Sequence, residues 1–187
     1  MTRTGWIVCI ALLWLPVGTH GSHAETQHTD ASSRGWPISD FELRDQRGQP
    51  FTAARLQGRW TFLLLGDTHC GTPCANALAG LAGMYRRIDN TQKLATTQVV
   101  FVSLDPARDT PATLRRYLEP YDARFVGVTG TAEALAPLVD DLGGKPGAHH
   151  PGSLVLIAPD GTVRSRFLPP FEVSLLTAEY LKTRVRK

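Results

Sequence analysis

The chain has few cysteines, little excess charge of either sign and no long basic run. Only three of its 187 residues are cysteine, and 20 basic against 17 acidic side chains leave a formal net charge of +3 at pH 7. This excess is too small to indicate binding to nucleic acid or to an anionic membrane surface. We also find no internal repeat and no sign of a second folded domain.

The N-terminal segment lacks the length of a membrane-spanning helix. Its apolar run extends from Trp6 to Val17 after a short basic start at Arg3, whereas a spanning helix needs about 20 apolar residues. Residues 22–24 (Ser-His-Ala) resemble the site at which a secretory signal is cleaved. We therefore predict a signal peptide over residues 1–24 and an exported protein, with an uncleaved membrane anchor as the alternative.

Export would leave a single pair of cysteines. Cys9 lies in the predicted signal, so the mature chain keeps Cys70 and Cys74 in an oxidising compartment, and the loss of Arg3 lowers the net charge to +2. Residues 25–35 are polar and read as a flexible leader. The remainder, residues 36–187, is predicted to form one domain.

Hydrophobic patterning in this domain predicts alternating strands and helices. Apolar runs and turn residues predict strands near residues 41–43, 51–52, 60–65, 99–103, 125–128, 154–157 and 163–167, and helices near 73–85, 111–118, 131–142 and 174–185. An opening hairpin, parallel βαβ units and a closing hairpin follow from this order. The sequence therefore predicts an α/β fold with a central mixed sheet flanked by helices.

The two remaining cysteines come directly after the most apolar of these strands. Residues four apart at a helix start would have Cα atoms roughly 6 Å apart, which a disulfide can bridge and at which two thiolates can bind one soft metal ion. A bridge that closes so short a loop removes little chain entropy, so a purely structural disulfide is the weaker interpretation. A reversible dithiol, a metal site or both remain open. A cysteine pair at the carboxyl end of a strand in an α/β layout indicates a thioredoxin-like fold.

Four motifs, in order along the chain, carry a family resemblance. Residues 68–74 (Thr-His-Cys-x-x-x-Cys) resemble the signature of the Sco/SenC copper-chaperone family. Residues 104–111 (Leu-Asp-Pro-x-Arg-Asp-Thr-Pro) and 125–130 (Phe-Val-Gly-Val-Thr-Gly) are similar to two further signatures. His150, counted back from the Pro-Asp-Gly turn at residues 159–161, falls where the family has its metal-binding histidine.

The resemblance implies a thioredoxin-like domain that binds one copper ion, as Cu(I) or Cu(II), through Cys70, Cys74 and His150. It also implies that Cys70 and Cys74 form a redox-active pair. The implied role is periplasmic assembly of the dinuclear copper site of cytochrome c oxidase, by copper delivery, by reduction of the target's cysteines, or by both. The expected partner is the copper-accepting subunit of the oxidase or another copper chaperone. We expect a monomer, with membrane attachment only if the N-terminal segment is retained.

The chain departs from the family pattern at five positions near these motifs. Asp67 replaces an aromatic residue, Gly71 and Ala75 replace prolines, His149 replaces an acidic residue, and Pro151 replaces a small hydroxyl residue. The three implied ligands are retained. The departures bear on copper affinity, redox potential and the choice of partner.

Two other uses of the cysteine pair remain open from sequence. The chain could be a thiol–disulfide reductase, or a thiol peroxidase or redox sensor, since enzymes of both kinds share the predicted fold. His150 distinguishes a copper chaperone from these alternatives, because a cysteine pair with a purely redox function does not require a histidine distant in sequence. His149 is an alternative ligand, and His69 is expected on the surface.

The second motif also has two readings. Asp105, Arg108 and Asp109 form a charged loop after the strand at residues 99–103. One reading is an ion-paired turn before a helix capped by Thr110 and begun by Pro111. The other is a brace for the cysteine loop or a contact for a partner.

Overall fold

The computed structural model describes residues 35–89, 92–142, 152–169 and 172–185. Its strands are β1 (Trp36–Pro37), β2 (Glu42–Asp45), β3 (Pro50–Thr52), β4 (Trp60–Gly66), β5 (Thr97–Ser103), β6 (Val126–Thr129), β7 (Ser153–Ile157) and β8 (Thr162–Phe167). Its α-helices are α1 (Thr72–Ile88), α2 (Gln92–Ala95), α3 (Pro111–Leu118), α4 (Ala132–Asp141) and α5 (Val173–Val185), and a 3-10 turn covers Ala53–Leu56.

All eight strands join one mixed sheet in the order β1-β8-β7-β4-β5-β6-β2-β3. The pairs β4–β5 and β5–β6 are parallel, as the two helical crossovers between them require, and the other neighbours are antiparallel. This arrangement confirms the predicted mixed sheet. It also confirms the opening hairpin, formed by β2 and β3 at one edge of the sheet.

Strand β4 lies in the middle of the sheet and is buried along its whole length. Its side chains alternate between two hydrophobic cores. Phe62 and Leu64 pack with α1, α3 and α5 on one face, and Leu63 and Leu65 pack with α4 and the β2–β3 hairpin on the other. The near-continuous apolar run of β4 is therefore explained by burial on both faces.

Three short elements were not predicted from sequence. They are β1, α2 and the 3-10 turn, and each is too short to produce a periodic hydrophobic pattern. Strand β1 is defined by tertiary contacts, because Trp36 and Pro37 pair with β8. The indole Nε1 of Trp36 also donates a hydrogen bond of 2.6 Å to the carbonyl of Asp141 at the end of α4.

Several predictions fall outside the part of the chain that the structure describes. They are the signal peptide, nearly all of the leader, and His149, His150 and Pro151. Among the described residues, no helix has both the length and the apolar character needed to span a bilayer.

Candidate redox and metal site

The cysteine loop lies at the carboxyl edge of the parallel strands. Residues 67–71 follow β4, residues 104–110 follow β5, and residues 130–131 follow β6. Because β4, β5 and β6 run in the same direction, these three connections meet at one edge of the sheet. The first two motifs of the sequence analysis are thus neighbours in space.

Cys70 and Cys74 form a disulfide, and their Cα atoms are 5.8 Å apart. This separation agrees with the predicted value, but its cause is different. Helix α1 begins at Thr72, so Cys70 precedes the helix and only Cys74 lies in its first turn. The loop returns toward the helix through Gly71, whose φ of 70° and ψ of −143° are accessible to glycine and strained for other residues.

The two sulfur-bearing residues differ in exposure. Cys74 is fully buried and belongs to the hydrophobic core beside Phe101, whereas Cys70 is only partly buried and packs at the edge of that core. A reacting thiol or a metal ion therefore reaches the pair from the side of Cys70.

A buried carboxylate connects the two motif loops. Asp109 is 0% exposed, and its carboxylate accepts hydrogen bonds from the backbone N–H of Thr68 at 3.0 Å and from the Thr68 hydroxyl at 2.6 Å. The Ser103 hydroxyl, at the end of β5, donates to the same carboxylate at 2.6 Å. Hydrogen bonds to an ionised acceptor are stronger than neutral ones, so Asp109 fixes the loop two residues before Cys70.

Asp67 organises the turn that leads into Cys70. It is 7% exposed, and its carboxylate accepts a hydrogen bond of 2.8 Å from the backbone N–H of His69. Its carbonyl accepts from the N–H of Cys70 at 3.1 Å. His69 itself is exposed, with its Nδ1 atom 3.2 Å from the Thr68 hydroxyl oxygen, which agrees with its predicted surface position.

The ion-paired, capped turn and the brace predicted for the second motif are both found, on different residues. Arg108 and Asp105 form an exposed ion pair, and the hydrogen bond from Arg108 lowers the pKa of the Asp105 carboxyl below its ordinary value. Thr110 caps α3 by accepting a hydrogen bond of 3.2 Å from the N–H of Thr113. Asp109 instead braces the cysteine loop. Ser103 was not predicted as a site residue, and its signal in the sequence was a polar residue at the end of an apolar run.

The structure brings two of the three predicted ligands together. Within the described ranges, no group of three or more His, Cys, Asp or Glu residues could hold a metal ion, and His150 lies outside those ranges. Gly152 is the first described residue after it, and its N–H donates to the Leu65 carbonyl at 3.0 Å. A methyl group placed on Gly152 would lie 3.2 Å from Cβ of Pro73. The chain therefore re-enters the described region beside the cysteine loop.

Comparison with known proteins gives a consistent result. The SCO1/SenC family model matches residues 29–183. A protein of Stutzerimonas stutzeri named for copper binding is 35% identical over 146 residues, which cover 73% of this chain and 71% of that protein. The mitochondrial protein SCO2 of Saccharomyces cerevisiae is 33% identical over 140 residues. That match covers 70% of this chain but only 46% of the yeast protein, so the chain spans less than half of that relative.

Solved structures share the fold. Bradyrhizobium japonicum ScoI, determined with copper bound, superposes with a TM-score of 0.66 at 26% identity, covering 79% of this chain and 99% of that one. BsSco, described as having a disulfide switch and as a member of the Sco family of cytochrome c oxidase assembly proteins, superposes with a TM-score of 0.64 at 18% identity, covering 82% and 96%. These likenesses confirm the predicted thioredoxin-like fold.

Replacing Asp109 should destabilise the protein, because its buried carboxylate accepts three hydrogen bonds. We expect Asp109→Ala to lower the free energy of unfolding by about 2–4 kcal/mol, because the Ser103 and Thr68 donors lose a charged acceptor. Urea denaturation of the oxidised protein measures this change. Asp105→Ala is the matched control, since that side chain is 22% exposed and its ion-pair partner Arg108 is 53% exposed, and it should have a much smaller effect. Equal effects would show that Asp109 does not brace the loop.

Introducing the family's proline at position 71 should destabilise the oxidised form of this chain. Proline fixes φ near −65°, whereas Gly71 has a φ of 70°, so Gly71→Pro should lower the stability of the oxidised protein by about 3 kcal/mol or more. Denaturation measurements test this value. Gly83→Ala, in the interior of α1 where the new methyl would meet nothing closer than 3.7 Å, should instead raise stability by about 0.5–1 kcal/mol. Unchanged stability of Gly71→Pro would contradict the loop conformation.

Proposed function

Because this chain belongs to the SCO1/SenC family, we propose that it is a periplasmic copper metallochaperone that helps to assemble the dinuclear copper site of cytochrome c oxidase. The observation that carries the proposal is the Cys70–Cys74 pair, placed at an accessible edge of the sheet in a loop braced by Asp109. A copper-bound relative with the same fold supports this use of the pair.

The proposed ligands of the single copper ion are Cys70, Cys74 and His150. Thiolate sulfur favours Cu(I), and imidazole nitrogen binds both Cu(I) and Cu(II), so this donor set suits either oxidation state. Gly152 supports the assignment of the histidine, because a methyl group placed on it would lie 3.2 Å from Cβ of Pro73 and two residues of chain span at most about 7 Å. His149 is the alternative nitrogen donor and the weaker candidate.

Copper binding by this pair requires reduction first. In the disulfide the two sulfurs are bonded to each other, and an external thiol reductant must supply two electrons and two protons to give two thiols. The sulfurs then bind metal as thiolates, so binding releases those protons. Copper loading and thiol redox state are thus linked in one site.

The difference in exposure assigns separate roles to the two cysteines. An incoming thiolate attacks the sulfur of partly exposed Cys70, forms a mixed disulfide with it and releases Cys74 as the leaving thiolate. The same asymmetry supports a second candidate function, a thiol–disulfide reductase acting on cysteines of a target protein without copper. In a thiol peroxidase or redox sensor, the more exposed Cys70 would likewise be the cysteine that reacts first.

The proposed location follows from the N-terminal segment. Residues 1–24 would direct export to the periplasm, either as a cleaved signal or as an anchor in the inner membrane. There the proposed partner is the copper-accepting subunit of cytochrome c oxidase or another copper chaperone, bound by a monomer of this chain.

Anaerobic titration of the reduced protein with Cu(I) and with Cu(II), against a competing chelator, tests the copper function. We expect one equivalent to bind tightly, and we expect this binding to be lost in Cys70→Ser. His150→Ala should weaken Cu(II) binding by orders of magnitude and leave the Cys70–Cys74 disulfide able to form, because the histidine is a ligand and takes no part in the bridge.

Two histidine variants serve as controls in this titration. His69→Ala removes an exposed imidazole from the same loop and should leave the affinity unchanged. His149→Ala separates the two neighbouring candidates. No binding by the wild-type protein would favour the reductase, and unchanged Cu(II) affinity of His150→Ala would exclude His150 as a ligand.

A further inference from the structure

Gly66, the last residue of β4, lies directly against the sulfur of Cys74. A Cβ atom built on Gly66 would be 2.6 Å from Sγ of Cys74 and 3.3 Å from Cε2 of Phe101. The first distance is far inside van der Waals contact, so no residue with a side chain fits here while the sulfur keeps its place. Cys74 is 0% exposed, and its sulfur fills the space that a side chain on residue 66 would occupy.

We propose that Gly66 is a positioning residue for the redox pair, because its lack of a side chain provides the space that the Cys74 sulfur occupies in the disulfide. The proposal rests on the proposed redox use of Cys70 and Cys74. It explains how Cys74 is held in the core while Cys70 stays accessible at the edge.

The backbone at Gly66 has little freedom to move away from the sulfur. Gly66 pairs with Ser103 in the parallel β4–β5 ladder, and its carbonyl accepts a hydrogen bond of 2.7 Å from the N–H of Leu104. On the other side, Leu65 pairs with Ser153 of β7. A side chain at position 66 would therefore displace the sulfur before it displaced the strand.

The effect of such a side chain should depend on the redox state. In the disulfide, Sγ of Cys74 is bonded to Sγ of Cys70 and cannot turn without moving the loop. In the dithiol, the sulfur is free to rotate about the Cα–Cβ bond to another staggered rotamer. A methyl group on residue 66 should therefore disfavour the disulfide more than the dithiol.

The test is the equilibrium of the full chain with glutathione in the absence of copper. Two glutathione thiols reduce the Cys70–Cys74 disulfide to two thiols and form one glutathione disulfide. Alkylation and peptide mass spectrometry measure the oxidised fraction at these two positions separately from Cys9. We expect Gly66→Ala to shift the equilibrium constant about tenfold toward the dithiol, equivalent to about 30 mV for a two-electron couple.

Gly127→Ala is the matched control for a steric clash elsewhere in the sheet. A Cβ on Gly127, a residue of β6, would lie 2.8 Å from Cδ1 of Leu118, and its nearest neighbours are side-chain atoms of Leu118 and Leu114 instead of a cysteine sulfur. This variant should lower the thermal midpoint and leave the glutathione equilibrium unchanged. An unchanged equilibrium in Gly66→Ala, or an equal shift in both variants, would overturn the proposal.

A double substitution identifies the atom through which Gly66 acts. Removing the sulfur in Cys74→Ala should largely abolish the loss of thermal midpoint that Gly66→Ala causes in the oxidised wild-type background. If Gly66→Ala alone fails to fold, the doubly substituted protein should still fold. An undiminished loss would mean that residue 66 acts through Phe101, which would overturn the proposal. Failure of wild-type copper binding would contradict the proposed chaperone function and leave these results unaffected.

Discussion

The burial of β4 on both faces is the constraint on which the site depends. Phe62 and Leu64 enter one core and Leu63 and Leu65 the other, and full burial of each such side chain contributes about 1.5–3 kcal/mol. Every residue of β4, Gly66 included, pairs with β5, and residues 61–65 also pair with β7. The position of Gly66, where the strand ends, is fixed by this pairing. The cysteine loop therefore starts from a rigid point.

On this rigid base the loop is held by polar contacts in which the cysteine sulfurs take no part. Asp109 reaches from the loop after β5 to Thr68, and the carboxylate of Asp67 binds the backbone at His69. None of these hydrogen bonds runs through a sulfur atom. Breaking the bond between the sulfurs therefore removes none of them directly, which suits the redox use that we propose for the pair.

Local pattern predicted most of the regular structure. The apolar run of β4, the Thr110 cap with Pro111 at the start of α3, and the central alternation of strand and helix were all confirmed. Strand β1 was missed because its two residues owe their conformation to pairing with β8. The helical account of the cysteine spacing was wrong in detail, since the positive φ of Gly71 cannot be read from a spacing of four.

The sequence by itself determined the fold class, the central strand and the closeness of Cys70 to Cys74, because these follow from hydrophobic periodicity and short-range spacing. Only the tertiary structure decided which sulfur is accessible, that Asp109 braces Thr68 from 41 positions away, and that Gly66 leaves room for a sulfur. The physical reason is distance along the chain. Burial and hydrogen bonding in the site arise between segments that meet only when the parallel strands bring their carboxyl ends to one edge of the sheet.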